Sequence, residues 1–128
     1  GLFNIGGTGD FPFPNRGIFE LSGKAEDMGK FRAPSLRNVA LTAPYMHDGS
    51  IESLEAVLDF YAAGGRNITE GVHAGDGRKN PYKSDLVTRI DLNEQEKADI
   101  VAFLKTLADD EFLHNPKFAN PFIQAKQP

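Results

Sequence analysis

Glycine and proline interrupt residues 1–50 so often, as in "GGTGDFPFPNRG", that no long helix or strand fits there. Proline offers no amide hydrogen and glycine gives up the most conformational freedom on ordering, so a ladder of backbone hydrogen bonds cannot run far through such a stretch. Regular elements in this half are expected to be brief, and its backbone must be fixed by something else. Further along the pattern changes. Leu54, Val57, Leu58 and Tyr61 recur at i, i+3, i+4 and i+7, which predicts a helix that starts after a capping Ser53 and stops at Gly64 and Gly65. Asn93 followed by Glu96 has capping-box spacing and predicts a second helix over residues 93–107, with Ile100, Phe103, Leu104 and Leu107 on one stripe. Between the helices, "RNITEGVHAGDGRKNPYKSD" is polar and turn-forming and reads as a long surface excursion. The tail "DDEFLHNPKFANPFIQAKQP" mixes Phe and Leu with Asn-Pro breaks and reads as an extended strap over the domain.

Two amphipathic helices of about ten to fifteen residues and ten phenylalanines spread over loops supply apolar faces without a central element for them to cover. A chain of 128 residues, 40% hydrophobic, sustains one modest core, so a single domain is expected. A large flat apolar cofactor would fill the missing middle, and so would more polypeptide before Gly1. A net charge of −4 and the lack of a basic helix leave no footprint for nucleic acid or a membrane surface. No run of about eighteen apolar residues exists for a membrane span, and "GLFNIGG" lacks the regions of a signal peptide. With no cysteine, these residues hold no disulfide, thiolate metal site or catalytic thiol, which leaves the redox compartment open. The glycines of "GDG" and "DFYAAGG" follow no strand in a phosphate-cradling fingerprint. His73 and His114 have no zinc spacing and read as solvent histidines.

The order "DMGKFRAPSLRNVALTAPYMHDGSIESLEAVLDFYAAGG", then "LNEQEKADIVAFLKTLAD", closely resembles the C-terminal haem domain of the bacterial di-haem cytochrome c peroxidase and MauG superfamily, over nearly the whole chain. The combination of "PYMHDGS", "FYAAGG" and the trailing Phe-Leu, Asn-Pro and Phe is most similar to the MauG-like branch that includes the di-haem enzyme of methanobactin gene cassettes. The resemblance implies a mainly α, cytochrome c-like haem domain with long loops, truncated at its N-terminus. In relatives a Cys-x-x-Cys-His segment attaches the haem just before a stretch resembling "LFNIGG", and that segment is absent here. Residues 1–128 are then expected to be one partial domain, the C-terminal one, forming the distal wall of a pocket completed from upstream.

The same resemblance places the distal axial ligand of the haem iron fourteen residues after the histidine of the Pro-Tyr-x-His motif; counted from His47 that position is Tyr61. Classical peroxidases of the family carry methionine there and MauG-like enzymes tyrosine. A thioether raises the haem potential, whereas an anionic phenolate favours ferric and higher oxidation states. By periodicity alone Tyr61 is a core aromatic; the resemblance makes it the ligand. Met46 competes as a methionine, yet phenylalanine fills its place in many relatives and it reads as apolar packing. Met28, in a polar loop, has less claim still. His47 is expected to bond a haem propionate or nearby backbone, oriented by Asp48, rather than to ligate iron. Arg32 and Arg37 are expected against propionates, whose carboxylates suit a guanidinium fork, with an ordinary surface arginine as the competing reading. The carbonyls of Thr42 and Pro44, in "LTAPY", match positions that coordinate an interface calcium ion in the peroxidases.

Three functional classes follow. The parent is a periplasmic di-haem c-type oxidoreductase that reacts with hydrogen peroxide, or an electron-transfer cytochrome, or the chain is a haem-free structural or interaction module. The first is the reading carried forward, with two haem c groups in the parent and no catalytic residue within the fragment itself. Its expected partners are the N-terminal haem domain of the same parent and either an electron-donor protein or a protein substrate oxidised at Trp or Tyr, with no nucleic acid and no membrane insertion.

Overall fold

The computed structural model describes residues 1–120 and 122. Its regular elements are a one-turn helix α1 (Phe19–Ser22), helix α2 (Leu54–Ala62), strands β1 (Asn67–Ile68) and β2 (Gly75–Asp76), helix α3 (Glu94–Lys105) and a short helix α4 (Asp110–His114). Single 3-10 turns lie at Ala25–Asp27, Val39–Leu41, Gly77–Lys79 and Pro116–Phe118. The strands pair antiparallel, with Asn67 opposite Asp76 and Ile68 opposite Gly75.

Both predicted helices form where their caps place them. Ser53 is extended and its hydroxyl accepts the Ala56 amide at 3.1 Å. Asn93 and Glu96 satisfy each other's backbone amides at 2.9 and 2.8 Å, a complete capping box. Leu54 and Leu58 of α2 meet Val101 of α3, and Val39, Tyr45 and Leu104 close around them. Lys97 Nζ crosses the same interface to the Asp59 carboxylate at 2.7 Å. The stripe of α3 is rotated from expectation: Val101 is buried and Phe103 is 59% exposed. At about 100° per residue, Phe103 lies nearly opposite Val101, so a helix that buries one must expose the other.

The other half is built without long helices. Leu2, Phe3, Phe11 and Met28 bury together, with Phe3 and Phe11 edge to face at 5.4 Å. Met28, expected in a polar loop, is a core residue. Here two buried asparagines fix the backbone. Asn4 Nδ2 donates to the Asp76 carbonyl at 2.9 Å while its Oδ1 accepts the Gly9 amide at 2.8 Å. Asn80 Nδ2 donates to the carbonyls of Phe3 and Gly9 at 2.8 and 3.0 Å, and its Oδ1 accepts the Tyr82 amide at 2.7 Å. The stretch expected as a surface excursion is therefore docked on residues 1–10. Close approach requires small residues at the seam: a Cβ on Gly75 would overlap the Asn4 carbonyl oxygen, and one on Gly77 the Gly1 carbonyl oxygen.

A third buried asparagine ties the loop half to the end of α3. The Asn38 amide donates to the Leu107 carbonyl at 3.0 Å and its side chain accepts the Asp109 amide at 2.6 Å. The tail also differs from the extended strap expected of it. Asp109 accepts the Phe112 amide at 2.9 Å and so caps α4, after which the chain folds back and brings the rings of Phe112 and Phe118 to 4.8 Å. Residues 121 and 123–128, the rest of that strap, lie outside the described residues. Among the described residues no helix is long and apolar enough to cross a membrane.

Candidate functional site

Helix α2 carries Tyr61 in its last turn, and the two glycines that follow set where that turn sits. Gly65, at φ 126°, runs so close to Gly1 that a Cβ would stand 2.7 Å from the Gly1 carbonyl oxygen. The Tyr61 ring meets Phe60 edge to face at 5.2 Å and is 40% exposed. The Tyr45 hydroxyl donates to the Val39 carbonyl at 3.1 Å, whereas that of Tyr61 has no such partner among the described residues.

The chain entering α2 forms a closed loop. Tyr45 and Ile51 exchange both backbone hydrogen bonds, at 2.6 and 3.4 Å, and the Met46 carbonyl accepts the Gly49 amide at 3.3 Å. Met46, at φ 69°, packs against the Phe3 and Phe11 cluster. His47 stacks on Phe31 with centroids 3.9 Å apart and 16° between planes, and Phe11 and Phe3 lie 5.9 and 6.3 Å away. Desolvation among these rings holds the His47 imidazole below its ordinary pKa, an effect that Asp48 opposes and Arg66 reinforces. Asp48 does not orient His47; its carboxylate accepts the Ser50 amide at 3.1 Å and faces Arg66 at 3.4 Å.

Arg66 is the residue that sequence reasoning missed. Its Nε donates to the Leu2 carbonyl at 3.0 Å, Nη1 to the Ser50 hydroxyl at 2.7 Å and Nη2 to Asp48, while the guanidinium lies 4.6 Å over the Phe3 ring. Its signal is only its place directly after the Gly-Gly stop of α2, where a long cation can fold back along the helix. It also closes one end of an open apolar groove of about 510 Å³ between residues 50–52 and α2, floored by Ile51, Ala56, Phe60 and Ala63.

The other expected site residues fall around this frame. Arg32 is exposed and free of ion pairs among the described residues. Arg37 is engaged: its Nε donates to Asp109 at 3.0 Å, its Nη2 grips the same oxygen, and its guanidinium lies 5.0 Å over Phe112. The Phe112 amide and the Arg37 guanidinium hold the Asp109 carboxyl below its usual pKa. Thr42 donates its hydroxyl to the Val39 carbonyl at 3.1 Å. Among the described residues the carbonyls of Thr42 and Pro44 accept no hydrogen bond, so both remain open to a hard cation. His73 meets Phe3 edge-on at 5.7 Å, and His114 Nδ1 contacts the Asp110 carbonyl at 3.0 Å. No cluster of three His, Cys, Asp or Glu side chains suited to a metal occurs among the described residues.

The residues fit one wall of a haem pocket. Among the described residues no large side chain is completely buried, and the two core clusters stay small while Tyr61, Phe103 and Leu41 remain 40%, 59% and 58% exposed. Such side chains leave apolar surface that a large apolar group could cover. A phenol with an uncommitted hydroxyl at a helix end suits ferric iron. With no cysteine in the chain, thioether attachment would come from outside these 128 residues.

No family model matches the chain. It is 41% identical over 100 residues to the cytochrome-c peroxidase IdrP1 of Pseudomonas sp. (strain SCT), covering 77% of this chain and 23% of that protein. It is 43% identical over 77 residues to the methylamine utilization protein MauG of Methylorubrum extorquens, covering 60% and 18%. Among solved structures it superposes with a TM-score of 0.91 on a MauG-like protein associated with microbial copper homeostasis, at 59% identity over 94% of this chain and 35% of that one. The chain thus spans less than a quarter of the length of these two curated relatives.

Proposed function

The chain belongs to the di-haem cytochrome c peroxidase and MauG superfamily, and on that footing we propose that it forms the distal wall of the C-terminal, cytochrome c-like haem pocket of a periplasmic oxidoreductase that reacts with hydrogen peroxide. One observation carries the reading: Tyr61 stands in the last turn of a helix capped by Ser53, 40% exposed and with its hydroxyl uncommitted among the described residues. In this reading the Tyr61 phenolate ligates iron, which sets the branch as MauG-like rather than classical. Haem c supplies the one-electron chemistry, and an anionic phenolate lowers its potential relative to a thioether.

The chain's own residues then have distinct tasks. Tyr61 would hold the iron through its phenolate oxygen, and Phe60, edge to face with it, would fix the orientation of its ring. His47, held neutral near pH 7 by the rings around it, offers a hydrogen bond to a propionate without adding charge. Arg32, exposed and without an ion pair among the described residues, would meet a propionate. Arg37 would first have to exchange Asp109. The carbonyls of Thr42 and Pro44 would hold calcium against the N-terminal haem domain, and the substrate would be an electron-donor protein or a partner protein oxidised at Trp or Tyr.

The test is the visible and EPR spectrum of the full-length, haem-matured protein beside its Tyr61→Phe variant. A low-spin ferric signal with phenolate character that vanishes in the variant supports the reading. Matching spectra would return Tyr61 to the role of a packing aromatic.

A further inference from the structure

We propose that Arg66 is a positioning residue for the distal ligand: it clamps the two ends of α2 to each other and to the first residues of the chain, and so fixes where Tyr61 stands. The inference rests on the reading of Tyr61 given above. Arg66 has no part in that ligand assignment, and among the described residues its side chain makes no hydrogen bond to Tyr61.

The geometry is that of a three-way tie. Residues 48–50 enter α2 and Arg66 follows its exit, so the bonds from Arg66 to the Ser50 hydroxyl and to Asp48 join exit to entry. The bond from Nε to the Leu2 carbonyl and the position over the Phe3 ring add a third strand of chain. The backbone repeats the tie, because the Arg66 amide donates to the Gly1 carbonyl at 3.1 Å and the Arg66 carbonyl accepts the Gly77 amide at 2.9 Å. The ion pair is sheltered, with side-chain exposures of 25% for Arg66 and 16% for Asp48.

The packing of α2 explains why a clamp is needed there. Leu54 and Leu58 anchor the helix to α3, and that contact lies in its first half. The last turn, which carries Tyr61, contributes no fully buried residue, and Phe60 alone of its side chains packs against the Leu2, Phe3, Phe11 and Met28 cluster. Its position rests on that one contact, on the Gly64 and Gly65 turn and on what holds the chain after it. A planar fork with five donors can serve three directions at once, which a lysine cannot reproduce. Groups hydrogen-bonded to a metal ligand govern its strength by about 10–100-fold in affinity or activity, and a residue that acts one step further back is expected at the low end of that range.

The experiment uses the full-length, haem-loaded protein in four forms: wild type, Arg66→Met, Arg66→Lys and Tyr61→Phe. Ferric EPR reports ligation, and hydrogen exchange of residues 48–53 and 61–68 reports the clamp. The expected result is that Tyr61→Phe abolishes the phenolate signal with little change in exchange. Arg66→Met should raise the fraction of haem lacking that signal about tenfold and speed exchange in both segments, and Arg66→Lys should recover part of each. If Arg66→Met does not accumulate, the Lys variant must show the partial loss by itself. A wild-type EPR spectrum in both Arg66 variants, beside a changed Tyr61→Phe, overturns the clamp and leaves the ligand reading intact. A silent Tyr61→Phe overturns both, and then faster exchange in Arg66→Met would mark a purely structural tie.

Discussion

The two halves of this molecule solve the same problem by opposite means. Where α2 meets α3, backbone polar groups are satisfied inside each helix and side chains are left to do the packing. Leu54, Leu58 and Val101 need only be apolar and about the right size. Where residues 1–10 meet residues 66–83 there is no ladder to lean on, and the side chains of Asn4 and Asn80 take over the work of backbone pairing. A helix pair tolerates variation in its contacts, whereas a seam of polar bonds and touching backbones does not. The seam is therefore the more brittle half, although it buries comparable apolar residues.

The contrast is sharpest at Gly75. Its Cβ would overlap the Asn4 carbonyl oxygen, a backbone atom with nowhere to go. Gly75→Ala should cost about 4 kcal/mol, near the top of the range for single substitutions, in denaturant unfolding of the full-length haem-loaded protein. Gly71→Ala, at φ 83° in open space, should cost only about 1 kcal/mol for its backbone conformation. Equal effects would show that glycine matters here through its dihedral angles and not through close approach.

Next come Asn80→Ala and Leu58→Ala. Removing the Asn80 amide leaves two buried carbonyls and the Tyr82 amide unpaired, at about 1–3 kcal/mol for a buried group left unsatisfied. Leu58→Ala opens a cavity beside Val101 at about 2–3 kcal/mol, the low end for such changes because the cluster is small. The two losses should be of similar size. An Asn80 variant that unfolds like wild type would mean that water replaces the lost bonds, and the seam would be less brittle than argued. A smaller loss, about 1 kcal/mol, is expected for Asn93→Ala, which removes one capping bond from α3.

The smallest effect is one of pH. His47 has a lowered pKa in the folded chain, so the unfolded chain takes up the proton more readily. Above the ordinary value of 6.5 both states are neutral there and the group contributes nothing. As pH falls through that value toward the folded one, stability is lost. His47→Gln should flatten this part of the pH profile of unfolding, and an unchanged slope would assign the loss to other groups.

These differences also explain what was legible in the sequence. The helices announced themselves through local signals: Ser53, the pair Asn93 and Glu96, and apolar residues at helical spacing. The seam did not, because the partners of Asn4 and Asn80 lie 71 to 77 residues away, apart from Gly9 for Asn4 and Tyr82 for Asn80, and a lone asparagine in a glycine-rich loop looks the same whether it is buried or solvated. Met28 was misplaced for the same reason, since neighbours in sequence make it look polar and neighbours in space make it core. Phe103 was placed on the wrong face because periodicity gives a stripe without saying which edge of it a partner covers. The position of Tyr61 came from family resemblance, and the residue behind it, Arg66, is marked only by its place after the Gly-Gly stop of α2.

The seam also has a consequence for the order of events during synthesis. A chain made from its N-terminus outward presents residues 1–10 long before their partners at 66–80 exist. Closing a loop of that length carries an entropic cost that grows only slowly with length, yet it must be met before any of the asparagine bonds can form, and contacts so distant in sequence slow folding. Residues 1–10 therefore spend the early life of the protein open, and become enclosed only when the latecomers arrive.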